Sequence, residues 1–254
     1  MKTTTLPMAS VGALFNEIEK QPAGLRHLFR GQSDASWGLV PSLYRIEQVN
    51  IHAGSRESSY SSYEEHLIQR FFREGLPYLP QLPRSYSNDR IIAQHFGVPT
   101  SFLDWSQDPL VALFFAVENW RKETDAAVFM LLPDANYLPE QVTHPIRHNA
   151  VSLAPPAIDR RIPAQKSRFT FHPYGEADMP FVPLDEREGM GNKVTNSEGD
   201  PVHGFHKIAI PRHMKRVLLG ELLRLGVDRR NLFPGLDGVG SDLTLRAHFG
   251  AILD

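Results

Sequence analysis

Residues 91 to 120, IIAQHFGVPTSFLDWSQDPLVALFFAVENW, constrain the fold of this chain more than any other stretch. Asp108-Pro109 is a strong helix start: the carboxylate can accept an orphan N–H of the first turn, and proline at the first position sacrifices no hydrogen bond. The run that follows, Leu110, Val111, Leu113, Phe114, Phe115 and Val117, is apolar on nearly every side, which predicts a helix at the centre of the molecule. Polar residues return only at Glu118, Asn119 and Arg121. Before the helix, His95, Thr100, Ser101, Asp104 and Trp105 crowd a short loop. Polar groups anchored beside a rigid apolar support are a common way to build a binding site. The local alternative is that Thr100 and Ser101 only end a strand and Asp104 caps a turn.

The 254 residues suit one large domain, because no linker divides them. With 41% hydrophobic and 22% charged residues the composition is that of an ordinary globular chain. No run approaches the roughly 18 to 20 apolar residues that span a bilayer. The opening MKTTTLPMASVGALF lacks the pattern of a signal peptide, so a cytoplasmic protein without a membrane partner is expected. Cysteine is absent, which excludes disulfides, a thiolate nucleophile and thiolate metal sites. His144 and His148 have Pro145 between them and no third ligand nearby, so no metal is expected. Net charge is −2, giving no global basic field. Charge is nevertheless uneven, acidic over 176–200 and basic over 207–230. These read as two solvated surfaces that pair with each other, ahead of a basic face for phosphates or RNA, because no aromatic stacking platforms interleave the basic residues.

Taken in order, Val11 to Ile18 reads as an amphipathic helix, and Leu25 to Arg30 as a strand ending in Arg30-Gly31-Gln32. Glycine there lets a ligand approach the backbone, and the guanidinium offers a planar fork to a phosphate or carboxylate. Residues 54–62 form a Ser-rich loop, and Tyr63 to Gly75 a helix on Leu67, Phe71 and Phe72. Asp89 is read as the cap of the next helix, which delivers His95 to the loop. Ala126 to Leu132 is an apolar strand buried on both faces. Arg161, Gln165 and Ser167 precede an alternating strand, Phe169-Thr170-Phe171. Residues 173–204 read as an insertion or lid. His206 to Pro211 is a strand and Lys215 to Leu225 a helix. The closing turn-rich run 231–238 carries one buried-looking acid, Asp237, before a short terminal helix. Strands and helices mix without a βαβ rhythm, so the fold class is α+β, a single-domain mixed sheet flanked by helices. No repeat, phosphate loop or nucleophile elbow is present.

These pieces resemble a known family. Phe29-Arg30-Gly31-Gln32 with Trp37, Leu39, Pro41-Ser42-Leu43 and Arg45 is similar to the Phe-Arg-Gly signature of the FRG domain. Ala93-Gln94-His95-Phe96-Gly97-Val98-Pro99-Thr100, Leu103-Asp104-Trp105 and the run from Asp108 to Ala116 resemble its longest motif. Arg161-Ile162, Ala164-Gln165, Ser167, Phe169-Thr170 and Phe233 to Gly238 follow in the expected order, so the resemblance spans roughly residues 25 to 245. Ser101 departs from it, standing where the family has a basic residue, usually arginine.

The pattern also implies a distant similarity to ADP-ribosyltransferases. In one branch of those enzymes an early Arg-Gly holds NAD, a Ser/Thr-rich strand precedes a helix with an Ala-x-x-Phe-Ala pattern, and a late strand supplies a catalytic Glu. Arg30-Gly31, Thr100-Ser101 and Ala112 to Ala116 lie on the first two features; at the third this chain has Gln165. The expected fold is therefore ADP-ribosyltransferase-like. The expected activity is transfer from NAD, as co-substrate, to a macromolecular acceptor (RNA, DNA or protein), in the setting of a toxin or anti-phage defence effector with a neutralising protein partner. In that reading Arg30 holds the pyrophosphate with Gly31, Gln32, His95 and Ser101 around it. Thr100 bonds the ribose, Trp105 or Phe102 stacks on nicotinamide, and Asp104 or Asp237 supplies the carboxylate. The alternatives are a non-catalytic module that binds a nucleotide, nucleic acid or protein, and an NAD hydrolase.

Overall fold

The computed structural model describes residues 2–20, 26–46, 60–79, 84–142, 151–172, 181–187, 194–195, 201–202 and 204–250. In chain order the elements are β1 (Lys2–Thr5), α1 (Val11–Glu19), β2 (Leu28–Gln32), α2 (Tyr60–Gly75), α3 (Tyr86–His95), β3 (Phe102–Ser106), α4 (Pro109–Val117) and β4 (Ala126–Leu131). They continue with β5 (Ala135–Tyr137), β6 (Val151–Leu153), the short α5 (Arg161–Ala164), β7 (Ser167–Phe171), β8 (Val194–Thr195), β9 (Pro201–Val202), β10 (Phe205–Ile210), α6 (Lys215–Arg224), α7 (Arg229–Leu232) and α8 (Leu236–Phe249). Eight strands form one mixed sheet in the order β1-β10-β4-β2-β3-β7-β6-β5, and β8 and β9 pair separately. The β1–β10 and β5–β6 pairs are parallel and the other pairs antiparallel. The protein is thus α+β with a mixed sheet.

The apolar run after Asp108 forms α4 as its composition demands. Asp108 Oδ1 accepts the Leu110 N–H at 2.9 Å, and six of the helix's nine residues are buried. With α1 and α6, this helix covers β10, β4 and β2 in the largest apolar cluster, which holds Phe29, Val128 and Ile208. Strand β4 is buried at all six positions because its other face, through Ala127, Phe129 and Leu131, packs on Leu39 and Leu184. The far half of the sheet has its own cluster, in which Ile91 of α3 packs on Phe102, Phe169 and Phe171.

Several local expectations change. The stretch after Ser101 is a strand, not a loop: Phe102 is buried in one cluster and Leu103 and Trp105 in another, so both faces of β3 are covered. The cap of α3 is Ser85, which accepts the Asn88 N–H at 3.1 Å, while Asp89 pairs with Arg84. Arg30 and Gly31 lie inside β2 rather than at its end. Asp237 is exposed in the first turn of α8, and the buried acid of that helix is Asp242. Among the described residues no ion pair joins the basic residues after Lys207 to the acidic stretch. Arg212 meets Glu123, Arg229 meets Glu118 and Arg230 meets Asp242. The loop 54–59, His144 and His148, and most of 173–204 fall outside the described residues.

Candidate functional site

Alternation turns Leu28, Arg30 and Gln32 to one side of the sheet and Phe29 and Gly31 to the other. Strand β2 pairs with β4 along its whole length, and β3 likewise with β7, but β2 and β3 share one rung, Phe29 opposite Ser106. Beyond it their facing edges part, and a cavity of about 680 Å³ opens into the interruption. That volume lies within the range of small-molecule sites.

Arg30 bridges the gap. Its Nη1 donates to the backbone carbonyl of Asp104 at 2.6 Å, satisfying a group that the interrupted ladder leaves unpaired. Arg30 Nε and Gln32 Oε1 are buried without hydrogen-bond partners, and both residues line the cavity. Buried polar atoms left in this state are rare and call for an explanation, of which a ligand is one. Burial draws the Arg30 pKa below its ordinary value, Asp104 opposes the shift and Arg45 adds to it. A guanidinium starts so high that it remains charged. Arg45 and Arg161 also line the cavity, so three cations face it.

Across the gap, two residues orient the carboxylate of a third. Thr100 donates its hydroxyl proton to Gln94 Oε1, and Gln94 Nε2 donates to Asp104 Oδ1 at 2.7 Å. Gln94, on the last turn of α3, is thereby held with its amide toward β3. Thr100 itself is fully buried and lies outside the cavity wall, so its contact is with Gln94.

Ser101 serves a different purpose. Glu64 of α2 accepts its backbone N–H at 2.6 Å and its hydroxyl at 2.9 Å, and Arg90 holds the other Glu64 oxygen at 2.8 Å. Burial pushes the Glu64 pKa up, and Arg90 and Ser101 counter it. This buried network fastens α2 and α3 to the start of β3, and Ser101 presents nothing to the cavity.

His95, Trp105 and Gln165 do line the cavity. His95 Nε2 lies 3.4 Å from Asp159 Oδ2. The Trp105 indole N–H donates to Thr170 Oγ1 at 2.7 Å, and its ring is almost fully covered. Gln165 Nε2 donates to the Leu232 carbonyl at 3.0 Å, tying the cavity floor to α7. Phe102 sits in the apolar cluster behind β3, and Asp237 lies outside the cavity.

Gly31 belongs to the wall for another reason. A Cβ there would stand 1.8 Å from the Ala112 carbonyl oxygen, so the missing side chain lets α4 lie directly on β2. The close approach at Gly31 is that of a helix.

The structure adds cavity residues that sequence reasoning alone misses. Val111, Phe115 and Glu118 follow one another by four and three along α4 and share the face toward the cavity. Glu118 is therefore a second carboxylate in the wall, paired with Arg229 at 2.6 Å. Burial raises its pKa, against the pull of Arg229. Helical spacing from Val111 is the signal that could have found it. Trp37, half exposed at 51%, lies at the mouth with Lys122 Nζ 3.7 Å above its ring. Among the described residues no group of three or more His, Cys, Asp or Glu could hold a metal, and no helix is long and apolar enough to cross a membrane.

The arrangement defines a class before it defines a family: an α+β protein with a cation-rich, aromatic-walled cavity where one sheet is interrupted. The FRG domain family model matches residues 26–125 of this chain. The match includes Arg30, Gln94, Thr100, Asp104 and Glu118, whereas Gln165 and Asp237 lie beyond it. No curated protein and no solved structure matches the chain.

Proposed function

We propose that this chain is an NAD-dependent ADP-ribosyltransferase acting on a macromolecule, with the central cavity as its NAD site and a fold related to that of such enzymes. The observation that carries the proposal is the meeting of Arg30 with Asp104 at the interruption, with the Asp104 carboxylate oriented by Gln94. NAD brings a diphosphate, two riboses and two aromatic rings. The cavity offers guanidiniums from Arg30, Arg45 and Arg161 to the first, and the Trp37 ring at the mouth as a stacking surface.

In the reaction the C1′–nitrogen bond to nicotinamide breaks and its electron pair leaves with neutral nicotinamide. The oxocarbenium-like ribose is then attacked at C1′ by a nucleophile of the acceptor, which gives up its proton. A fixed carboxylate beside that centre stabilises the developing positive charge, as in glycoside cleavage. Asp104 suits this role better than Asp237, which the fold places outside the cavity. Gln165 has its amide committed to Leu232 and suits positioning of the cavity wall. A cytoplasmic toxin or anti-phage effector with a neutralising partner is the setting consistent with such an activity.

The test is nicotinamide release from NAD by the purified chain, with and without total RNA or cell lysate, beside Arg30→Ala and Asp104→Asn. Release that requires an added macromolecule and disappears in both variants is the expected result. Release without any acceptor would identify an NAD hydrolase. Its absence from every mixture with folded wild-type protein would overturn the catalytic reading in favour of a binding module.

A further inference from the structure

A second cavity, of about 310 Å³, lies against β7, β6 and the edge strand β5. Arg168 stands between Ser167 and Phe169, which line the central cavity, so strand alternation turns it to the opposite face of the sheet. The register puts Thr170, two residues further along β7, opposite Ser152, and Ser152 opposite Asn136. Arg168, Ser152 and Asn136 therefore share one face, and Arg26, Gln107 and Gln141 add to the polar wall.

Among the described residues no carboxylate lines this cavity. Among the described residues neither arginine has an acidic partner, and Arg168 spends only Nη1 on a neighbour, the Ser167 carbonyl at 3.0 Å. Ser152 is 1% exposed, and its Oγ has no hydrogen-bond partner. Two cations lining one cavity with a buried, unsatisfied hydroxyl and neutral amides leave its electrostatics incomplete. Burial, and then Arg26, lower the Arg168 pKa, a cost that a bound anion reverses.

We propose that this second cavity binds a phosphate group, held by Arg26 and Arg168 with Ser152 and the amides of Gln107 and Asn136. A carboxylate has only two oxygens for these donors, whereas a phosphate offers acceptors in several directions. The group can come from a free mononucleotide or from the phosphodiester backbone of a nucleic-acid strand. The proposal is independent of the chemistry of the central cavity.

The full chain is titrated with 5′-AMP and, separately, with a fluorescent single-stranded oligonucleotide lacking terminal phosphates. The comparison is between wild type, the Arg26→Gln/Arg168→Gln double variant, and Gln107→Glu, which places a negative charge in the cavity without removing an arginine. At least tenfold weaker binding of one probe in both variants, with unchanged thermal unfolding, is the expected result. Loss confined to AMP identifies a nucleotide site, and loss confined to the oligonucleotide a strand-binding site; loss of both shows that the shared phosphate is what is read. For the oligonucleotide, the slope of log affinity against log salt becomes shallower by about 0.7 for each phosphate that the variant no longer neutralises. Less than a twofold change for both probes in both variants, or no binding to wild type at millimolar AMP and micromolar oligonucleotide, overturns the proposal.

Discussion

Arg30 Nη1 reaches the backbone carbonyl of Asp104 at 2.6 Å, across two strands that have stopped pairing with each other. One side chain thus replaces part of a missing ladder and places a positive charge beside the carboxylate-bearing residue of the opposite strand. The rest of that guanidinium remains for a ligand, since Nε has no partner.

Conservative replacement of Arg30 separates these two duties. Arg30→Lys keeps a charge but loses the planar fork, so affinity for NAD is expected to fall by roughly tenfold or more. Loss of the hydrogen bond to Asp104 is expected to cost about 1 kcal/mol of stability. Calorimetric titration with NAD and urea unfolding report the two effects separately. A variant that cannot be obtained folded would show that the bridge is primarily structural.

The Thr100–Gln94–Asp104 chain predicts a kinetic signature. Thr100→Val removes the hydroxyl that fixes Gln94 and leaves a side chain of similar volume. Nicotinamide release is expected to drop about tenfold in kcat with little change in KM, and Thr100→Ser to restore it. An equal loss in KM, or no rescue by serine, would count against an orienting role. Measured alongside, Glu118→Gln identifies the working acid: complete loss there with Asp104→Asn still active would transfer the role from Asp104 to Glu118.

Gly31→Ala is expected to destabilise the chain by about 1–3 kcal/mol, since the added methyl meets the Ala112 carbonyl and α4 must retreat from β2. The midpoint of urea unfolding is the measurement. An unchanged midpoint would mean that α4 can shift freely, contrary to the burial of six of its nine residues.

Acid is expected to weaken the ion pair of Asp34 with Lys122 beside Trp37. Hydrogen bonds from the Ser36 hydroxyl, Lys122 and the Ser36 backbone hold the Asp34 carboxyl far below the usual carboxylate range, with burial opposing them. A carboxylate whose pKa is depressed in the folded state contributes stability above its unfolded value, near 3.9, and loses it as pH falls toward the folded value. Asp34→Asn is therefore expected to be less stable than wild type at pH 7, and the difference to shrink below about pH 4. Thermal unfolding at several pH values measures this. The same protonation frees Lys122, which caps the Trp37 ring.

What the chain reveals in advance follows from the range of the interactions involved. Helix α4 is legible because its cap and its apolar run are contiguous. The doubly buried β4 is legible for the same reason. The cap of α3 goes to Ser85 because Asp89 finds Arg84 instead, a competition between neighbours that residue preferences do not rank. The strand β3 and the destination of Ser101 depend on Glu64, thirty-seven residues away, whose carboxylate claims the Ser101 N–H and hydroxyl. Gly31 suggests room for a ligand, but its missing side chain accommodates Ala112, a contact visible only once α4 lies on β2. Turn-rich surroundings suggest burial of Asp237, and it is a solvent-facing residue of α8 because the helix begins there.

A sheet interrupted at Phe29–Ser106 also has a mechanical consequence. Its two halves are joined there by a single rung, braced near the opening by Arg30 on the Asp104 carbonyl and by the Gln165 amide on the Leu232 carbonyl. The aperture is thus set by a few replaceable side chains and not by a continuous run of amides. Related chains could admit larger or smaller guests through point changes at these struts while the surrounding architecture stays the same.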